Sequence, residues 1–461
     1  MQTREPADLL IEARWVLPIA PAAALEHHAV AVLDGRILAL GPAAELAARF
    51  SPRERIVRAA HVLLPGFVDA HTSASTVLLR GVPHALARAR PIDVESLDSE
   101  RNWTPDLVRD GAQLALAQML RAGITSFAST ELYPEEMARL AGTLRMRAAV
   151  GLPLSERPTA WAETLTSHLA QAERLWDAYR SDPWVSLYFA PDAALGLTDA
   201  VLERIRTVAD ELDARLAMAV APEPSALRDG AEAPAAPSLA RLNRLGLLRP
   251  GFTALPGGRL GAAELELIER TGIALAVCPQ ASLRCGRGSG ALSCLLGATL
   301  PVGLGTGSPR LSLAFDLLAE ARAAALLASD LAGVPDAVSA ERALHLATLG
   351  GAQAVGLKGL VGSIEPGKAA DLVAIEIGSL CCPAASPADT VLYAATREHV
   401  SDVWVGGRPQ VLDGQLLAFD AQELRSLAAR CAHAGLAAGA PAGAHARGRG
   451  SEWPRSGTGR A

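Results

Sequence analysis

Lysine is nearly missing from this chain of 461 residues: Lys358 and Lys368 are the only two, so arginine carries almost all of the positive charge. No apolar run reaches the ~18–20 residues a membrane span needs, because Pro or a charge interrupts each one well short of that length. No basic stretch precedes a cleavable apolar segment near the start. Together these absences lead to the expectation of a soluble, cytoplasmic protein. The six cysteines, Cys278, Cys285, Cys294, Cys381, Cys382 and Cys431, contain no Cys-x-x-Cys pair. That suits a reducing compartment and buried thiols. Cys278, Cys285 and Cys294 also lack the close pairs of a zinc ribbon and are read as structural.

The formal net charge of −6 is modest and spread along the chain, so no basic groove for nucleic acid and no anionic-membrane surface is expected. Half of the residues are hydrophobic, enough for a large core. The length fits one large domain with an appendage.

From about residue 63 to 308, short apolar runs alternate with longer helical patterns, the sign of repeated βα units. Eight strands are predicted: LLPGFVDAH (63–71), ITSFAST (124–130), RAAVG (147–151), WVSLYFA (184–190), RLAMAVA (215–221), GFTAL (251–255), IALAVCP (273–279) and PVGLGTG (301–307). Segments such as 104–123 and 198–214 carry apolar residues at helical spacing, with Thr104 and Thr198 at the predicted N-caps. Eight such units make an α/β fold, a TIM (β/α)8 barrel.

The flanks read differently. Residues 7–60 and 366–420 hold short strands with Asp-Gly and Gly-Gly turns, which predicts hairpins. Neither flank buries a core alone, so the two chain ends are expected to pair into one small β-sandwich. The predicted division is 1–62 and 366–435 for the two halves of that sandwich, 63–365 for the barrel, and 436–461 for a disordered Gly, Ala, Pro and Arg tail. An RNA-binding role for the tail's Arg-Gly pairs is the lesser reading beside a solvated extension. The GLGTGS stretch at 303–308 ends a predicted barrel strand and needs no nucleotide to explain its glycines.

LLPGFVDAH, AVCPQASLRCGRG (276–288), VGLGTG (302–307) and ALHLATLGGAQAVGLKGLVGSIEPGKAADLVA (343–374) closely resemble the amidohydrolase superfamily. The branch is the methylthioadenosine/S-adenosylhomocysteine deaminases, the TRZ/ATZ group of hydrolases, and the resemblance covers about residues 7 to 430. It implies one zinc or iron ion, held by His-x-His on strand 1, a His on strand 5 and an Asp after strand 8. A bound cation lowers the pKa of water from 15.7 toward ~7, roughly 12 kcal/mol, and so supplies hydroxide at neutral pH.

Matched residue by residue, this sequence departs from that pattern. The four ligand positions fall on His71, Ser73, Ala219 and Gly307, leaving one imidazole. The strand 5 Glu falls on Pro222, the strand 6 His on Pro256, the strand 7 His on Val277 and the His after strand 4 on Asp192. Both lysines lie outside the predicted barrel strands, so no carboxylated Lys is available to bridge two metals.

The expectation is therefore a pseudoenzyme that binds neither zinc nor iron and acts as a ligand-binding or partner protein. Its pocket candidates are Glu131, Asp192, Glu223, Gln280, Ser308 and Arg310, all at or just past predicted strand ends. The resemblance further implies dimers, so a homo-oligomer or a hetero-oligomer with an active paralogue is expected, with no nucleic acid and no membrane. The alternative is an active hydrolase of C–N bonds, a deaminase with altered or metal-independent chemistry. In it His71 would pair with Asp192 or Glu223, or Cys278 would act as a nucleophile beside an imidazole.

Overall fold

The computed structural model describes residues 4–80, 103–193, 197–221, 236–296, 300–309, 314–380 and 386–438, without the side chains of 432–438. His84, Pro222, Glu223, Arg310, Cys381, Cys382 and the tail beyond 438 lie outside the described residues.

Four strands come first: β1 (Glu5–Val16), β2 (Leu25–Leu33), β3 (Arg36–Pro42) and β4 (Phe50–Pro65). The Asp34-Gly35 turn between β2 and β3 has both residues at positive φ, 49° and 74°, the left-handed geometry for which Asp-Gly is suited. The barrel strands follow: β5 (Phe67–Thr72), β6 (Ile124–Thr130), β7 (Arg147–Leu154), β8 (Val185–Pro191), β9 (Arg215–Val220), β10 (Phe252–Pro256), β11 (Ala274–Val277) and β12 (Val302–Leu304). They lie in one parallel sheet in chain order. A bridge from Thr72 to Gly307 joins the first strand to the end of the last and closes the barrel. The predicted caps are in place: Thr104 accepts from the Leu107 N–H and Thr198 from the Val201 N–H.

LLPGFVDAH, read as one strand, is divided. Its first three residues end β4, and the barrel strand begins only at Phe67. Gly66 makes the crossing, and a Cβ there would sit 2.1 Å from the Thr125 Oγ1. The bare backbone lets the chain pass from one sheet to the other against β6.

The closing strands are β13 (Leu372–Glu376), β14 (Val400–Val405), β15 (Arg408–Leu412) and β16 (Gln415–Leu416). Both chain ends build one continuous sheet, in the order β16-β15-β14-β13-β4-β1-β2-β3. β4 makes this possible because one edge pairs with β1 from Phe50 to Leu63 while the other edge of its last residues, from His61 to Pro65, pairs with β13. Leu9, Ile11, Val30, Leu372 and Trp404 share the core of this sheet, so residues from opposite ends of the sequence bury one another. Among the described residues no helix is long and apolar enough to cross a membrane.

Inside the barrel the packing is made of small side chains. Ala70, Ala128, Ala149, Ala190, Ala274 and Ala276 form one cluster with the single large ring of Tyr188. Residues 351–355 floor this interior, with Gly351 against Val68 and Gly303. The alternate residues Phe127, Leu216, Phe252, Val277 and Leu304 face the outer layer and join the main core with the surrounding helices, as the period of two in a strand requires.

Candidate functional site

The carboxyl ends of β5 and β12 meet where ligand-binding groups gather in this fold, and hydrogen bonds fasten them together. The Gly307 N–H donates to the His71 carbonyl at 2.9 Å, and the Thr72 hydroxyl donates to the Gly307 carbonyl at 2.7 Å. Below them Asp69, fully buried, accepts from the Thr306 N–H (3.0 Å) and the Thr306 hydroxyl (2.6 Å). Burial pushes the Asp69 carboxyl up to about 7 against the opposing pull of these donors. Gly305 also packs tightly, since a Cβ there would lie 2.5 Å from the His71 carbonyl oxygen.

Ser73 follows β5 and opens a short 3-10 turn, Ala74–Leu79. The Thr76 hydroxyl donates to the Ser73 carbonyl at 2.6 Å and stands 2.9 Å from the Ser308 hydroxyl, tying that turn to the segment after β12. Ser308 is buried in this contact. Glu131, expected at a pocket wall, is buried too and lies on the outer side of β6. Its carboxylate accepts from the Ser75 and Ser129 hydroxyls and from the Ser75 N–H. Strand parity is the reason: Ala128 and Thr130 face inward, so residue 131 faces the turn instead. Burial holds its carboxyl up at about 7.

The remaining positions are spread among different roles. Ala219 and Pro256 are half-buried at the ends of β9 and β10. Val277 does not face the mouth; it is buried in the outer layer beside Leu292, while Ala276 faces inward. Asp192 follows β8, and its N–H donates to the Leu154 carbonyl. The Gln280 N–H donates to Glu320 at 3.0 Å. Glu320 is buried, its other carboxylate oxygen has no hydrogen-bond partner among the described residues, and burial raises its pKa well above the usual range. The Cys278 thiol approaches the His71 backbone carbonyl at 4.0 Å. Cys294 is buried, and burial pushes its thiol up to about 12, away from any reactive state.

The donor set does not fit a catalytic zinc or iron. The four positions offer an imidazole, a hydroxyl, a methyl group and a hydrogen, where three or four N, O or S ligands are needed. Gly307 adds a geometric obstacle, since its φ is 64° and a Cβ would sit 3.1 Å from that of Ala281. Among the described residues no group of three His, Cys, Asp or Glu is placed to hold a metal ion. The other described imidazoles serve elsewhere. His168 bonds the Pro153 carbonyl behind β7, His345 lies beside Arg342, His399 caps Thr396, His61 is on β4, and His27 and His28 are on β2.

Asp69, Thr306, Glu320 and Tyr188 were not foreseen as site residues. The signal for the first and last was present: an acid inside FVDAHT and a Tyr on the inward parity of VSLYFAP.

The sequence model of the Amidohydrolase family matches residues 62–409. A 5-methylthioadenosine/S-adenosylhomocysteine deaminase of Teredinibacter turnerae is 31% identical, over 92% of this chain and 96% of its own length. The crystal structure of an adenosine deaminase from Xanthomonas campestris with bound zinc superposes with a TM-score of 0.86 at 34% identity, covering 94% of this chain and all of that one. The zinc-complexed atrazine chlorohydrolase of Arthrobacter aurescens shares the fold, with a TM-score of 0.79 at 21% identity and coverage of 92% and 100%.

Proposed function

We infer function from one premise: this chain belongs to the amidohydrolase family. We propose that it uses the family scaffold to bind a small molecule at the barrel mouth without metal-activated water. One observation carries this reading, the side chains at the four ligand positions, of which only His71 is a good metal donor. Hydroxide at neutral pH requires the cation, and none of the buried acids replaces it. Asp69 is engaged by Thr306, and Glu131 by two serines on the outer side of the strand. The proposal extends to association with a second copy or an active paralogue, which size-exclusion chromatography with light scattering would register, and to a cytoplasmic location.

The kinship favours a second reading. Relatives named as deaminases match over more than nine-tenths of the chain, which supports hydrolysis of a C–N bond on a heteroaromatic substrate. Ammonia release from 5′-methylthioadenosine, S-adenosylhomocysteine and adenosine, with and without chelator, separates the two. No release, together with a shift in melting temperature for at least one such compound, supports binding alone. Release abolished by chelator establishes the family's chemistry and refutes the first reading, whereas release that survives chelation establishes a metal-independent hydrolase.

A further inference from the structure

On the outer wall of the barrel, three large apolar side chains stand in water: Leu326 is 55% exposed, Val334 52% and Tyr393 37%. Hydrogen bonds bring them together. Arg322, in the helix Leu317–Ala332, donates to the Leu392 and Ala395 carbonyls and so holds the turn Thr390–Ala394 against that helix. Further along, the Ser329 hydroxyl accepts from the Ala337 N–H at 3.2 Å, so the chain beyond the helix folds back along the same side. Leu326 lies between these two anchors, four residues past Arg322 and three before Ser329, on one helix face. Val334 belongs to the returning segment. Burial, and then the charges of Asp336 and Asp389, raise the Tyr393 pKa, which puts both carboxylates near that ring.

The rim of this patch carries one sign of charge. Asp330, Asp336 and Asp389 are exposed around it. No Lys or Arg occurs between Arg322 and Arg342, or between Lys368 and Arg397, and Arg322 is engaged by the two carbonyls. Two copies joined across this face would set acid against acid. A basic segment with an apolar anchor suits it instead, and this chain has one. Residues 439–461 carry Arg447, Arg449, Arg455 and Arg460 against the single acid Glu452. Their one large apolar side chain is Trp453, followed by Pro454 and Arg455. Trp gains more than most side chains from burial at a contact, and its neighbours in sequence offer it no core. From Ala438 to Trp453 the extended chain spans up to about 50 Å, close to the width of a folded chain of this size, so the patch is within reach.

We propose that residues 439–461 dock on this patch of their own chain, with Trp453 against Leu326, Val334 and Tyr393 and the flanking arginines on Asp330 and Asp336. The contact lies on the outer wall, independent of whatever binds at the mouth.

Fluorine NMR of the full chain, labelled with 5-fluorotryptophan at its seven Trp, tests it. The Trp453 line, identified by its loss in Trp453→Phe, should lie away from that of the labelled synthetic peptide 439–461 and stay there on dilution. Leu326→Lys replaces an exposed side chain and leaves the core intact. It should return the line to the peptide position, and Asp330→Arg should move it the same way. A wild-type line coincident with that of the peptide overturns the proposal. So does a displaced line that Leu326→Lys leaves in place, or one that dilution restores, which would assign the contact to another copy.

Discussion

Glu131 shows how much of this site depends on which way a single side chain faces. The carboxyl is buried on the outer side of β6 with two serine hydroxyls on it, and its pKa is raised from the ordinary carboxylate range to about 7. A group with a raised folded-state pKa contributes stability that is fully present below its unfolded value and is lost as pH rises through the folded one. For Glu131 the window runs from about pH 4 to 7, with a span of order 3 kcal/mol at most. Glu131→Gln should therefore flatten that part of the stability profile, as urea midpoints measured between pH 4 and 8 would show; an unchanged slope would contradict the burial argument. At residue 307 the left-handed backbone and the nearby Ala281 Cβ make Gly307→Asp strained by about 1 kcal/mol, measurable by chemical denaturation. That positions 73, 219 and 307 carry Ser, Ala and Gly is read directly from the sequence. The burial of Glu131 and the outward turn of Val277 were legible only through parity, which needs the strand registers.

At the scale of elements, the Gly66 crossing fixes where the barrel begins. Gly66→Ala puts a methyl group 2.1 Å from the Thr125 Oγ1. The expected cost is about 1–3 kcal/mol, the range for overpacking a core, and calorimetry should report a matching fall in melting temperature. An unshifted transition would mean that β6 yields at Thr125. The eight barrel strands were legible because each apolar run is short and separated by capped helical patterns; ITSFAST coincides with β6. The division between β4 and β5 was not, because both halves of LLPGFVDAH are equally apolar and only a tertiary contact separates them. For β11 and β12 the pattern overran the regular strands, which end at Val277 and Leu304; beyond them only single backbone bonds continue, such as the Gly305 N–H to the Val277 carbonyl and the Gly307 N–H to the His71 carbonyl.

For the whole molecule, the joint between the barrel and the end sheet rests on a buried pair. Arg147 of β7 donates from Nε to Asp371 at 2.9 Å, and the Gly406 N–H donates to the same carboxylate at 2.8 Å. Removing one partner leaves a buried charge uncompensated, so Asp371→Ala should cost about 3–5 kcal/mol. The Arg147→Met/Asp371→Leu pair should cost much less than the sum of the two single changes, and additive losses in a double-mutant cycle would deny the coupling. That both chain ends form one structure was legible from the inability of either to bury a core. Their fusion into a single sheet was not, because it depends on the length of β4, sixteen residues serving two neighbours. The central claim concerns the mouth that this assembly supports, and metal stoichiometry tests it most directly. The full chain is incubated with excess zinc and then with iron, dialysed, and measured by plasma mass spectrometry. The prediction is far less than one ion per chain with either metal, and about one tightly held equivalent would contradict it.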